Sequence, residues 1–218
     1  MILTIVNGNV LDTVAGEIIG ERSIVVENDV IVDVFEGQPS VEADLEIDAR
    51  GRYVLPGFID AHVHLSITTM NFGRARNLSE IEWSLAMAGL AEATVQRGFT
   101  TVRDTGGAIG GLVRAVQSGL CRGPRILRSG RVISQSGGHG DIRPQNVPLP
   151  GCGCELVSGR FSHIADGPDA VRKAARHELR EGSDFLKIMT SGGVASPSDP
   201  FDNIQYTAEE IKIITTEA

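Results

Sequence analysis

Along the first fifty residues the apolar positions come in short β-rich runs, Leu3–Val6, Ser23–Glu27, Val30–Phe35 and Leu45–Ile47, separated by turn residues. That pattern predicts strands. Within Glu27-Asn28-Asp29-Val30, Asn and Asp tolerate the left-handed region, which predicts a hairpin turn. Residues 1–55 therefore read as a small β domain or part of one.

After Pro56-Gly57 the rhythm changes to strands alternating with amphipathic helices, so residues 56–218 form the second predicted domain. Phe58–Leu65 reads as a strand. Ser79–Arg97 reads as a helix, opened by the capping box Ser79-x-x-Glu82, closed by Gly98 and carrying the apolar stripe Ile81, Leu85, Ala88, Ala91 and Val95. Phe99–Asp104 is the second strand, and Leu112, Val113, Val116 and Leu120 mark the next helix. Arg125–Ile133 is the third strand, and a long Gly/Pro-rich loop runs from Ser134 to about Ser162. A helix over about 168–181, a fourth strand over Asp184–Met189 and a last helix opened by Thr207-x-x-Glu210 follow. A complete (β/α)8 TIM-type barrel has eight such units in about 250 residues, against roughly four here. The predicted fold is α/β: the first half of a barrel, preceded by part of a small β-sandwich. A half barrel leaves strand edges unpaired, so the chain reads as a fragment.

Composition narrows the function. With 28 acidic against 20 basic residues the net charge is −8, which disfavours nucleic acid and anionic membranes as partners. The first residues lack a basic leader, and their apolar run is too short for a membrane span, which points to the cytoplasm. Cys121, Cys152 and Cys154 make an odd count that argues for reduced thiols; Cys152-Gly153-Cys154 lacks a second pair with zinc-site spacing.

Side chains alternate along a strand, so His62 and His64 share one face with Asp60, near the mouth where barrels do their chemistry. Two imidazoles at that spacing can grip one cation; the alternative is a pair of hydrogen-bonded barrel-filling residues. Lys187 shares a strand face with Phe185 and Met189, so it should project into the barrel, where a bare ammonium is costly unless an acid such as Asp184 pairs with it. His139 sits between glycines and can approach the mouth or bond to Asp141. Tyr206 is a candidate with a packed alternative. Arg103 either meets a substrate carboxylate or bridges Asp104 or a helix. His163 and His177 are placed at the surface, outside any ligand set.

Val54-Leu55-Pro56-Gly57-Phe58-Ile59-Asp60-Ala61-His62-Val63-His64 resembles the opening motif of the amidohydrolase superfamily. Phe99-Thr100-Thr101-Val102-Arg103-Asp104, Ser136-Gly137-Gly138-His139-Gly140-Asp141 and Lys187-Ile188-Met189-x-Ser191-Gly192-Gly193-Val194 resemble its imidazolonepropionase-related branch, which includes metal-dependent dipeptidases and carboxypeptidases acting on Xaa-Pro or similar C-terminal substrates. The resemblance spans essentially the whole chain. It implies that His62 and His64 bind metal and that carbon dioxide carbamylates Lys187, whose carbamate bridges two divalent ions, zinc foremost. It also implies that His139 and Tyr206 contact a small peptide or amide substrate. The family's two further histidines and its proton-shuttle aspartate fall outside this chain, so it holds no catalytic residue and should be inactive alone. Two alternatives stay open: a single-metal cyclic-amide hydrolase of the imidazolonepropionase type, whose relatives generally lack the lysine, and a non-catalytic piece acting only by association. A homo-oligomer or completion by a missing C-terminal half is the expected assembly.

Overall fold

In the computed structural model, which describes residues 1–143, 158–194 and 199–218, the chain divides into two compact units, Met1–Gly57 and Phe58–Ala218. The division falls close to the predicted boundary. The first unit is one five-stranded sheet built on β1 (Ile2–Asp12), whose alternating Thr4, Val6, Gly8 and Val10 are buried. β2 (Glu17–Glu27) and β3 (Val30–Phe35) pair antiparallel in sequence, while β4 (Leu45–Asp48) and β5 (Tyr53–Val54) pair parallel with β1. The first two strands run longer than the apolar pattern indicates. Their turn is built by Asp12, whose carboxylate accepts from the amides of Val14 and Ala15, and by Gly16 at φ 72°. Asn28 and Asp29 take φ of 47° and 71°, which makes the predicted β2–β3 turn.

In the second unit β6 (Phe58–Val63), β7 (Phe99–Asp104) and β8 (Arg125–Arg128) form a parallel sheet in chain order. The helices after them are α1 (Phe72–Asn77), α2 (Glu80–Gln96) and α3 (Gly110–Gln117). The predicted third strand is broken: after Arg128 the backbone leaves the ladder at Ser129–Arg131 and resumes as β9 (Val132–Ser134), which pairs parallel with β10 (Ser162–Ile164). Gly130, at φ 70°, makes the break; a Cβ there would lie 2.6 Å from the Glu178 carboxylate. The predicted fourth strand shrinks to one bridge, Ile188 to Ile133, although the amides of Asp184, Ile133 and Met189 donate across the same two segments at 2.8–3.0 Å. The short helix α4 (Ser158–Phe161), then α5 (Pro168–Arg180) and α6 (Ala208–Glu217), complete the order.

Both predicted capping boxes form: Ser79 with Glu82 on α2, and Thr207 with Glu210 on α6. The predicted face of α2 forms only in part. Ile81 and Leu85 stand 73% and 68% exposed, whereas Ala91 of the same stripe is buried; Trp83 and Met87 are the residues packed with Leu65, Val102, Leu112 and Ile126. The helix carries apolar residues on more than one side, so its period alone does not choose the stripe that meets the sheet. A second core joins Ile133 and Ala165 to Val171, Ala174 and Ala175 of α5, Ile214 of α6, and Tyr206. Among the described residues no helix is long and apolar enough to cross a membrane.

His163, placed at the surface by its sequence, is half-buried on β10. Its Nδ1 lies 3.1 Å from Glu178 of α5, and its ring meets His177 edge-on at 5.5 Å. Arg131 donates to the same carboxylate from its backbone amide and from Nε, each at 3.0 Å. Burial pushes the Glu178 carboxyl up, but the bonds from His163 and Arg131 outweigh it and leave the group below its ordinary value of 4.5. A depressed folded-state value adds stability above the unfolded value that is lost as pH falls through the folded one. Glu178→Gln should therefore lower the Tm at neutral pH and flatten its decline on acidification below about 4.5. An acid slope identical to wild type in circular-dichroism melts would contradict the assignment.

Candidate metal centre

His64 follows directly on β6, and the arrangement around it starts from Asp104 at the end of β7. This fully buried carboxylate accepts from the amides of Leu65 at 2.6 Å, Gly106 at 3.0 Å and Ala108 at 3.1 Å. Burial drives the Asp104 carboxyl up to about 6 against the opposing pull of those amides and of Arg128. The three bonds fold the chain after β7 back over the end of β6 and bring the Gly106 carbonyl to 3.3 Å from His64 Nδ1. A carbonyl only accepts, so Nδ1 carries the proton and Nε2 keeps its lone pair. The approach needs glycine: a Cβ on Gly106 would lie 2.6 Å from Val132, and one on Gly107, at φ 93°, 2.0 Å from the Ser66 hydroxyl. Trp83 of α2 anchors the segment after β6 on which Ser66 lies, its indole N–H donating to the Ser66 carbonyl at 3.0 Å.

The His62 and His64 rings stand edge to face, 5.3 Å apart between centres. β6 is irregular between Asp60 and Val63, where its register against β7 shifts. There the Asp60 carboxylate accepts from the His62 amide at 3.0 Å. Burial lowers the His64 pKa below its usual 6.5; the Gly106 carbonyl opposes this, and the charges of His62, Lys187 and His139 lower it further. A neutral imidazole with Nδ1 committed to a carbonyl is the form that ligates metals. The structure thus brings His62, His64, Lys187 and His139 into one electrostatic neighbourhood. Among the described residues no group of three or more His, Cys, Asp and Glu side chains could hold a metal. The two imidazoles supply part of a ligand set.

Lys187 is half-buried and, among the described residues, joins no ion pair. Its suggested partner Asp184 instead accepts from the Arg128 amide at 2.8 Å. Among the described residues Arg103 bonds to neither a helix nor Asp104: its Nε donates to the Ala61 carbonyl at 2.8 Å and its guanidinium lies over the Phe185 ring at 5.4 Å. Tyr206 takes the packed position given as its alternative: its ring lies in the core beneath α5 and its hydroxyl donates to the Ala165 carbonyl at 3.0 Å. His139 does not bond to Asp141, which accepts from Gly137 and pairs with Arg143; its acid is Asp199, 3.1 Å from Nδ1. Asp104, Asp199 and Gln205 were beyond sequence reasoning except as Asp104 ends a recognisable motif, because each has a partner 39 to 66 residues away: Leu65 for Asp104, His139 for Asp199 and Gln205. Cys152 and Cys154 lie outside the described residues.

The model of the amidohydrolase family matches residues 53–218. Ochratoxinase from Aspergillus niger is 31% identical over 99% of this chain and 48% of its own length. A solved prolidase bound to N-methylphosphonate-L-proline is 42% identical with a TM-score of 0.91, covering 100% of this chain and 53% of that one. A Xaa-Pro dipeptidase solved with methionine in its active site is 29% identical with a TM-score of 0.83, covering 100% and 54%. The chain thus spans about half the length of these relatives.

Asp104→Ala would leave three buried amides without an acceptor, at about 1–3 kcal/mol each, and should destabilise the second unit by about 3 kcal/mol or more. Asp104→Asn keeps one acceptor oxygen and should lose clearly less. Equal urea midpoints for the two variants would contradict this account of the turn.

Proposed function

Because the chain belongs to the amidohydrolase family, we propose that it carries the opening part of the active site of a metal-dependent hydrolase of C–N bonds, a dipeptidase or carboxypeptidase whose dinuclear centre is bridged by carbamylated Lys187. The observation that carries the reading is Lys187 itself: a half-buried lysine without an acid partner among the described residues, whose charge acts on a neutral, oriented imidazole. An ammonium beside His62 and His64 repels any cation they bind. The Lys187 ammonium gives up one proton to become the neutral amine, which adds to carbon dioxide as one C=O π bond opens and a second proton leaves; the N–C bond forms, and a cation becomes an anion with two hard oxygen donors. This favours the dinuclear reading over a single-metal cyclic-amide hydrolase.

His64 would offer Nε2, since Gly106 holds its Nδ1, and His62 would supply the second nitrogen from the adjacent ring. Zinc suits imidazole and carboxylate-like donors together. When bound, such ions supply Lewis acidity that polarises a scissile carbonyl and lowers the pKa of water. His139 would meet the substrate from its glycine-flanked loop. The prolidase and Xaa-Pro dipeptidase relatives support a short peptide cleaved next to its C-terminal residue as substrate. The family's remaining histidines and its proton-shuttle aspartate would come from a further half of a longer protein or from an associated chain. A cytoplasmic location, with Cys121 as a free thiol, belongs to the same reading.

The test is hydrolysis of Ala-Pro and Met-Pro, with zinc and bicarbonate present, by the 218-residue chain and by a form extended to the length of the relatives. Only the extended form should release free proline, and Lys187→Ala in it should lower turnover by orders of magnitude. An extended, zinc-loaded form inert on both peptides, or unaffected by Lys187→Ala, would refute the proposal.

A further inference from the structure

His139 is held more closely than a substrate-facing loop histidine requires. Its amide donates to Gln205 Oε1 at 2.9 Å, its Nδ1 lies 3.1 Å from Asp199 Oδ2, and Gln205 Nε2 reaches the same oxygen at 3.4 Å. The Asp199 side chain is fully buried, and its Oδ1 has no hydrogen-bond partner among the described residues. A buried carboxylate that spends one oxygen on an imidazole and leaves the other bare is costly as a purely structural device.

The ring is also confined sterically. A Cβ on Gly193 would fall 2.0 Å from His139 Cε1 and 2.5 Å from Nδ1, and one on Gly192 would fall 1.9 Å from the Pro200 carbonyl oxygen. Both glycines lie on the segment that continues from Lys187. That segment pairs with the residues before Tyr206: Ser191 bridges Ile204, the Gly192 amide donates to Asn203, and the Gln205 amide donates to Thr190. One stretch of chain therefore presents Lys187, presses on the His139 ring and seats Asp199 and Gln205 behind it.

We propose that Asp199 is a positioning residue that fixes the tautomer and orientation of His139, so that Nδ1 carries the proton and Nε2 is the atom offered to the site. A carboxylate can only accept here, so Nδ1–H is committed to Asp199 and Nε2 is the ring atom left to meet substrate. This rests on the reading that His139 faces substrate and assigns the ring atom that makes the contact. Asp199 acts only through the ring, as the carboxylate behind a catalytic imidazole does in other hydrolases.

The test is long-range 1H–15N correlation of imidazole nitrogens in the 218-residue chain at about pH 8.5, where free imidazoles are neutral, with His139→Gln assigning the signals. The wild-type protein should show His139 as the Nδ1–H tautomer. Asp199→Asn, whose amide can donate to Nδ1, should invert that pattern or average the two tautomers while the His64 signals stay in place. A wild-type Nε2–H tautomer would overturn the proposal without recourse to any variant, as would a folded Asp199→Asn protein with the His139 pattern unchanged. The readout needs no turnover, so loss of the hydrolase reading and loss of this one remain distinguishable.

Discussion

The Asp104 carboxylate is the constraint on which the rest of the site depends. A buried anion has to be satisfied, and here three backbone amides from two segments satisfy it. Their convergence draws the turn after β7 across the end of β6, so one set of hydrogen bonds both closes the fold at that edge and places a carbonyl against His64. Because Gly106 and Gly107 lack side chains, the backbone can lie against Val132, Phe161 and Ser66. The imidazole is thereby oriented by main chain, which is more rigid than a support made of long side chains.

The electrostatics of the neighbourhood follow from that placement. The charges of His62, Lys187 and His139 all act on the His64 ring, in a protein whose net charge is −8. Acids lie nearby, but each is committed: Asp60 to the His62 amide, Asp184 to the Arg128 amide, Asp199 to His139. The second unit supports this neighbourhood through the core under α2 and through the Glu178 cluster that ties α5 to the break between β8 and β9.

Much of the framework was legible in the sequence, because it rests on local rules. The change from β runs to βα alternation marks the unit boundary, both capping boxes form where Ser79 and Thr207 predict them, and Asn28-Asp29 makes its turn. His62 and His64 adjoin as their spacing implies, even though β6 is irregular between them. Features set by distant partners were not legible. α2 buries Trp83 and Met87 in place of Ile81 and Leu85 because the sheet beneath it selects the face. The third strand breaks because Gly130 must accommodate Glu178 and Ser183. Tyr206 turns into the core because the Ala165 carbonyl and the apolar face of α5 await it. Asp199 gains its role from a histidine 60 residues away, a pairing that neither periodicity nor spacing announces.

The central claim is that His62, His64 and the Lys187 amine serve one metal centre, and 13C NMR tests it most directly. The extended, zinc-loaded protein equilibrated with 13C-bicarbonate should show a single slowly exchanging carbamate resonance that disappears in Lys187→Ala and weakens when His62 and His64 are both replaced. A spectrum without that resonance, or one that persists in the Lys187→Ala protein, would contradict the account.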